Sequence, residues 1–378
     1  MTPKRFAILL IMLMCLGLGG YGHATRTQLD WRFVVEESPN PAETEPVFGT
    51  VFEYAPVTGE AHSPAIRLTG DGFSLIWFEG SRESANDVRI METRYTRDGD
   101  SYVATLPAPI LDRHDLGRAF YPSQLVMTLG NTIENQSHHN ALYATVVSLG
   151  GWAMASVADV RLGAHGPEHA RKLNLSPLLN RSHLVKSPMV RYADGHHALP
   201  VYFEMGNSFS EVARIGPSGR VVDKARIPQS FRGIQPLLVP LSEARAVALM
   251  RNFDHASDRL LASWTIDGGR TWSRSRELDL PNPNSPIAAV RLSDGRLLMA
   301  YNNHPTRADL LMLAVSKDEG HTWTDLRLLE DANGDEGTAA RYPMMRWLDT
   351  GEILLVYSHS SKRGIRALLF NEAWVNAQ

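Results

Sequence analysis

The chain has 378 residues, 43% hydrophobic and 21% charged, with 38 basic against 41 acidic side chains and a formal net charge of −3. This composition excludes a disordered chain and offers no basic excess to hold nucleic acid, while the length suffices for a substantial core.

The first predicted element is the stretch "MTPKRFAILLIMLMCLGLGGYGHA", in which Lys4 and Arg5 precede an apolar run from Phe6 to about Gly20, with Gly22 and Ala24 as small residues near a cleavage position. It reads as a signal peptide over residues 1–24, cleaved near Ala24, and predicts a secreted or periplasmic product with no stable membrane insertion after cleavage. An apolar run of about 15 residues falls short of the ~20 that a spanning helix needs. The single cysteine, Cys15, lies inside this run behind Met14, where a lipid-attachment site would carry a small residue. The mature chain then has no disulfide and depends on its core and backbone hydrogen bonds. Residues 25–46 read as an N-terminal segment, and residues 47–378 as the folded domain. A strand in "WRFVVEES" or "VFGTVFEY" is expected to close that domain by joining its last unit, which removes an open sheet edge.

Five stretches of the domain follow one scheme: "HSPAIRLTGDGFSLIWFEG" from His62, "KSPMVRYADGHHALPVYFE" from Lys186, "IQPLLVPLSEARAVALMRN" from Ile234, "NSPIAAVRLSDGRLLMAYNN" from Asn284 and "RYPMMRWLDTGEILLVYSHS" from Arg341. Each has a proline near its start, a short apolar strand, a turn and a second apolar strand. The turn is usually an Asp-Gly step, which suits a tight hairpin. The proline is expected as a first strand residue, where no ladder donor is lost. The prolines, Pro64, Pro188, Pro236, Pro286 and Pro343, are spaced by 124, 48, 50 and 57 residues. The first gap holds a sixth, degenerate copy around "LGNTIENQSHHNALYATVVSLGGWAMAS". A second phrase, Ser/Thr-x-Asp-x-Gly-x-x-Trp, occurs as Thr265, Asp267, Gly269, Trp272 and again 51 residues later as Ser316, Asp318, Gly320, Trp323. It reads as the hairpin between a third and a fourth strand, the aspartate bonding turn amides and the tryptophan packing beneath. Six units of about 59 residues, with almost no long amphipathic helix, predict an all-β, six-bladed β-propeller.

These Asp-box phrases and paired strands resemble the sialidase superfamily of six-bladed propellers. "WFEGSRESANDVRI", "GGWAMAS", "LPVYFE" and "LPNPNSPIAAVRLSDGRLLMAYNN" resemble its bacterial sialidase-like branch. The resemblance covers about residues 50 to 370. Strand direction places first-strand starts, second-strand ends and third-strand starts on one face, opposite the Asp boxes. First-strand starts supply His62, Lys186, Gln235, Ser285 and Tyr342. Second-strand ends supply Glu79, Glu204, Arg251, Asn302, Asn303 and His359. Third-strand starts supply Asp87, Arg307 and Arg363.

The resemblance implies arginines gripping a substrate carboxylate, a tyrosine nucleophile activated by a glutamate, and an aspartic acid that handles the leaving-group proton. Carried over by residue, Arg251 matches the second arginine, Arg307 the third, Tyr342 the nucleophile and Asp87 the acid. Three positions depart: His62 stands in place of the first arginine, Ser358 in place of its glutamate brace, and Gln235 in place of the activating glutamate. The expected catalytic set is therefore Asp87, Tyr342, His62 and Gln235, with His62 as an acid or base near neutral pH. Arg251, Arg307, Glu79, Arg82, Glu204, Asn302 and Asn303 are expected to contact substrate. No metal-ligand spacing such as His-Glu-x-x-His occurs, and no metal or other cofactor is expected. Two functions stay open: an exported hydrolase acting on a terminal acidic or deoxy sugar of a glycan or polysaccharide, and a glycan-binding propeller without catalysis. Asp87 and a second carboxylate about 5 to 9 Å apart across the pocket would keep hydrolysis open, whereas no second carboxylate near it would favour binding.

Overall fold

The computed structural model describes residues 3–24, 28–36, 45–99, 101–176, 180–254 and 256–377. The N-terminal unit contains the helix Pro3–Ala24, whose stretch Pro3–Tyr21 is long and apolar enough to cross a membrane, a description that a signal sequence also meets. Trp31–Gln378 forms the second unit.

In that unit the apolar stretches that follow each turn, such as "SLIWF", "ALYATVV" and "LLVYS", are buried along their length. A continuous apolar run of this length is what a strand covered on both faces requires. Each is the second strand of a four-stranded antiparallel blade, and six such blades make up the propeller. Blade one runs Glu60–Thr69, Gly72–Gly80, Arg89–Asp98 and Ser101–Ala104, with Ala108–Leu111 also paired to its third strand. The degenerate copy forms blade two, whose first three strands are Thr128–Glu134, Ala141–Val147 and Ala155–Gly163. Blade three has a broken first strand, His183–Leu184 and Val190–Arg191, both paired to His197–Phe203, and Lys186 lies in the break. Blades four and five begin at Gly233 and Ala288, and blade six contributes Arg341–Trp347, Ile353–His359 and Gly364–Phe370.

Phe48–Tyr54, from "VFGTVFEY", closes blade six by pairing antiparallel with Gly364–Phe370. Within "WRFVVEES", residues 31–36 instead provide a strap, and residues 37–38 lie outside the described residues. The Phe33 amide donates to the Glu243 carbonyl at 2.7 Å, the Val34 amide to the Arg191 carbonyl at 2.9 Å, and the Phe33 ring stacks on Tyr192 at 5.0 Å.

The repeat prolines correct one expectation. Pro188 and Pro286 do precede short first strands, but Pro64, Pro236 and Pro343 lie inside theirs, where the pairing register slips between His62 and Ala65, Ile234 and Leu237, and Arg341 and Met344. At a bulge no ladder bond is made, so the missing N–H of proline costs nothing. The residue before each of these prolines has a positive φ: 52° at Ser63, 52° at Gln235 and 58° at Tyr342. A following proline restricts its predecessor towards extended backbone, so these left-handed residues are strained. The bulge turns all three towards the mouth of the channel.

Both Asp boxes form the hairpins between third and fourth strands. Asp267 accepts hydrogen bonds from the Thr271 amide at 2.9 Å, Thr271 Oγ1 at 2.6 Å and Thr265 Oγ1 at 2.9 Å. Asp318 repeats the set with the Thr322 amide at 2.8 Å, Thr322 Oγ1 at 2.7 Å and Ser316 Oγ at 2.9 Å. Beneath them Trp272 is buried at 6% exposure, and Trp323 is half-buried.

Candidate functional site

The bulged residues belong to a belt of hydrogen bonds around one end of the channel. The Ser63 amide donates to Ser358 Oγ at 3.0 Å, and Ser63 Oγ donates to Asn131 Oδ1 at 2.6 Å. Asn131 Nδ2 and Gln235 Nε2 both donate to the Tyr202 hydroxyl, at 3.3 and 3.4 Å. Arg251 closes the belt: Nη1 donates to Gln235 Oε1 at 3.0 Å and to the Tyr342 hydroxyl at 3.0 Å, while Nε donates to Asn284 Oδ1 at 2.7 Å. These residues come from blades one, two, three, four and six and from the segment entering blade five. Ser358, where the family pattern carries a carboxylate brace, is an acceptor for the strained Ser63 backbone.

A cavity of about 250 Å³ opens at the belt, and its lining includes Tyr342, Arg251, Gln235, Glu204, Tyr202 and Asn284. Tyr342 thus meets Arg251, Gln235 and Glu204 as the strand-direction rule expects. Arg341, Lys362 and Glu83 also line it, and sequence reasoning passed over all three. Glu83 and Lys362 sit on the loops between second and third strands of blades one and six, the same type of position that singled out Asp87. Arg341 immediately precedes Tyr342 and was readable only as part of "RYPMM". Trp152 donates through Nε1 to Ser84 Oγ at 2.9 Å and covers Gly130, where a Cβ would stand 2.7 Å from its ring. The cavity therefore presents the cations Arg251, Arg341 and Lys362 and the carboxylates Glu83 and Glu204. Lys362 Nζ is 2.5 Å from Glu83 Oε2. Burial alone would lower the Lys362 pKa, but this pairing outweighs it and raises it. Glu204 is half-buried, and its carboxylate accepts no hydrogen bond from the described residues. Burial raises its pKa above the ordinary glutamate value, Arg251 opposes the rise and Glu83 adds to it.

Two buried groups support the Tyr342 ring. The His62 imidazole lies edge-on to it at 4.3 Å and against Phe78 at 5.4 Å, and neither ring nitrogen has a partner among the described residues. Burial first, then Lys362, Lys186, Arg341 and Arg251, hold the His62 pKa well below the ordinary histidine value. Titration near neutrality, expected from the sequence, is thereby lost: His62 is a neutral packing partner at pH 7. Lys186 Nζ lies 5.8 Å from the Tyr342 ring centre and donates to the Pro343 carbonyl at 3.3 Å, and its burial brings its pKa down to about 7.

Other expected residues lie elsewhere. Asp87 is exposed on its loop, accepting from the Ser81 amide and hydroxyl at 3.0 Å each, and does not line the cavity. Arg307 turns to Asp309 at 3.0 Å and to His304 Nε2 at 3.2 Å. Glu79 is 8% exposed and pairs with the Tyr54 hydroxyl at 2.6 Å and Arg89 at 3.0 Å, since alternate strand residues face opposite sides of a blade. Exposed Arg82 accepts through its carbonyl from the Ala85 amide at 3.1 Å and does not line the cavity. Asn302 is fully buried, accepting from Ser285 Oγ at 2.6 Å and donating to the Ala340 carbonyl at 2.8 Å, and Asn303 donates to Asp325 at 2.6 Å.

Residues 71–355 match the family described as "BNR repeat-like domain". No curated protein matches the chain. Among solved structures, the Hadza microbial sialidase Hz136 superposes with a TM-score of 0.59 at 15% identity over 82% of this chain and 65% of that one. Trypanosoma rangeli sialidase in complex with the inhibitor DANA gives 0.57 at 12% identity over 83% of this chain and 55% of that one. A protein of unknown function from Dyadobacter fermentans DSM 18053 gives 0.59 at 13% identity, over 85% of this chain and 98% of that one. The chain thus spans 65% and 55% of the two sialidases' lengths, and at these identities the likeness is one of fold. With the family match covering most of the chain, the protein belongs to the BNR repeat-like domain family and has the six-bladed propeller fold of the sialidases.

Proposed function

We propose that this protein is an exported glycoside hydrolase of sialidase type, acting on a terminal acidic or deoxy sugar of a glycan or polysaccharide in the Tyr342 cavity. The observation that carries this reading is Tyr342 itself. A bulge holds it at a strained positive φ with its hydroxyl 3.0 Å from the Arg251 guanidinium, inside a cavity with two carboxylates and two further cations. Strain of this kind is retained where the surrounding structure enforces it, which is common at working sites. A cavity of about 250 Å³, just below the ~300–1,000 Å³ of most ligand sites, suits one sugar ring and so a chain end. Arg251, Arg341 and Lys362 would hold an anionic group on that ring, and the apolar helix Pro3–Ala24 supports export.

The second reading, a glycan-binding propeller without catalysis, is favoured by Gln235, which cannot take the Tyr342 proton, and by Asp87 lying off the cavity. Released sugar from a panel of aryl glycosides of acidic and deoxy sugars and of bacterial polysaccharides separates the two. Turnover abolished by Tyr342→Phe is the expected result. Saturable binding that Arg251→Met removes, with no turnover on any substrate, establishes the binding reading instead.

A further inference from the structure

Of the carboxylates near Tyr342, only Glu83 and Glu204 line the cavity, and their surroundings differ. Glu83 is committed to the Lys362 ammonium at 2.5 Å. Glu204 has no such partner. Its amide donates to the Ser182 carbonyl at 3.1 Å, fixing the end of its strand, and its carboxyl stands half-buried. The charged and titratable groups that face it are Tyr202 on its own strand, Arg251 from blade four and Glu83 from blade one. Two carboxyls of one cavity, one bound to a cation and the other half-buried without a hydrogen-bond partner among the described residues, suit an acid and its counterpart. Asp87, the acid implied by the family pattern, is exposed and bonded within its own loop.

We propose that Glu204, rather than Asp87, is the catalytic residue that protonates the leaving group. This rests on the hydrolase reading above. In the step, the Glu204 O–H bond breaks as its proton forms a new O–H bond on the glycosidic oxygen, while the electron pair of the anomeric carbon–oxygen bond stays with that oxygen, which departs as an alcohol. The carboxylate left behind faces Arg251, which stabilises the new charge. Water then adds to the anomeric carbon and returns one proton to Glu204, so that one water is consumed and the enzyme is regenerated. Burial keeps the Glu204 proton in place to higher pH than an ordinary glutamate would.

The test compares wild type, Glu204→Gln and Asp87→Asn on two aryl glycosides of whichever panel sugar the wild type hydrolyses, one with a strongly activated dinitrophenolate leaving group and one with a poor leaving group. Glu204→Gln should slow the poor leaving group by about 100-fold or more and the activated one by less than about 10-fold, because only the former needs the proton. Asp87→Asn should slow neither. Independently of turnover, a pH series of the infrared carbonyl band should show in wild type and Asp87→Asn a component that titrates above the ordinary glutamate value, and this component should be absent in Glu204→Gln. Turnover of the poor leaving group that survives Glu204→Gln, a leaving-group split in Asp87→Asn, or a band unaffected by Glu204→Gln overturns this proposal alone. A wild type inactive on the entire panel overturns the hydrolase reading and the proposal with it.

Discussion

The two ends of the propeller are built by opposite rules. At the Asp-box end the turn aspartates find their partners locally: Asp267 meets Thr265 and Thr271 within seven residues of sequence, and Asp318 does the same with Ser316 and Thr322. At the channel mouth the partners lie far apart, 91 residues for Arg251 with Tyr342 and 295 for Ser63 with Ser358. Three residues there are strained, and Lys186 is buried under Tyr342 without a carboxylate partner among the described residues. One end holds each blade together, and the other concentrates strained and charged groups that a purely structural role would not require. Even between the boxes there is a difference. Gly268 is pressed by the strap, where a Cβ would stand 1.7 Å from the Trp31 carbonyl oxygen, while the corresponding Glu319 tolerates φ 63° and pairs with Arg245.

The strongest way to break this contrast is Trp272→Ala. A buried aromatic lost from the core should cost ~3–5 kcal/mol by denaturant unfolding while leaving glycan binding intact, and half-buried Trp323→Ala should cost less. A variant that melts normally but no longer binds would erase the distinction between the ends.

Lys186→Met tests the other end. With its pKa lowered to about 7, the folded chain releases the Lys186 proton before the unfolded chain does. The group's penalty on folding is therefore full below about pH 7 and fades as pH rises towards the ordinary lysine value. Lys186→Met should stabilise the protein by roughly 3–4 kcal/mol at pH 6 and by progressively less above pH 7, measured as a chemical-denaturation series. A gain independent of pH would show that packing, not the charge, sets the effect.

Arg251→Met should weaken an acidic ligand by about 2–4 kcal/mol in calorimetry with little change in melting, since it removes a desolvated cation that also orients Tyr342. The smallest effect is expected from Asp267→Ala, about 1–2 kcal/mol of stability and none on binding. Burial would raise this carboxyl, but the bonds from Thr271 and Thr265 and the charge of Arg270 outweigh it and hold its pKa below the usual range. Its contribution is present above the ordinary aspartate value and is lost as pH falls through the folded value, so mutant and wild-type melting points should converge in acid.

The blade count, the Asp-box hairpins and the closing strand in "VFGTVFEY" were legible because their causes are local: alternation, turn chemistry and a tryptophan at fixed spacing. Strand direction also brought Tyr342, Arg251, Gln235 and Glu204 to one mouth. It could not separate Glu79 from Glu204, because one register step on a strand decides whether a carboxylate faces the cavity or the neighbouring strand. Nor could it foresee that Asp87 and Arg307 bond within their own loops while Glu83 and Lys362 reach inward, since loop conformation follows from what packs beneath.

The sequence by itself thus determined the architecture, through short-range periodicity that each blade repeats. Only the tertiary structure decided the chemistry of the mouth. The bulges before Pro236 and Pro343 turn Gln235 and Tyr342 from different blades towards one cavity, and burial at and beneath it makes His62 neutral, Lys186 weakly basic and Glu204 reluctant to ionise. Desolvation and cross-blade charge are properties of the assembled ring, and no segment of the chain carries them alone.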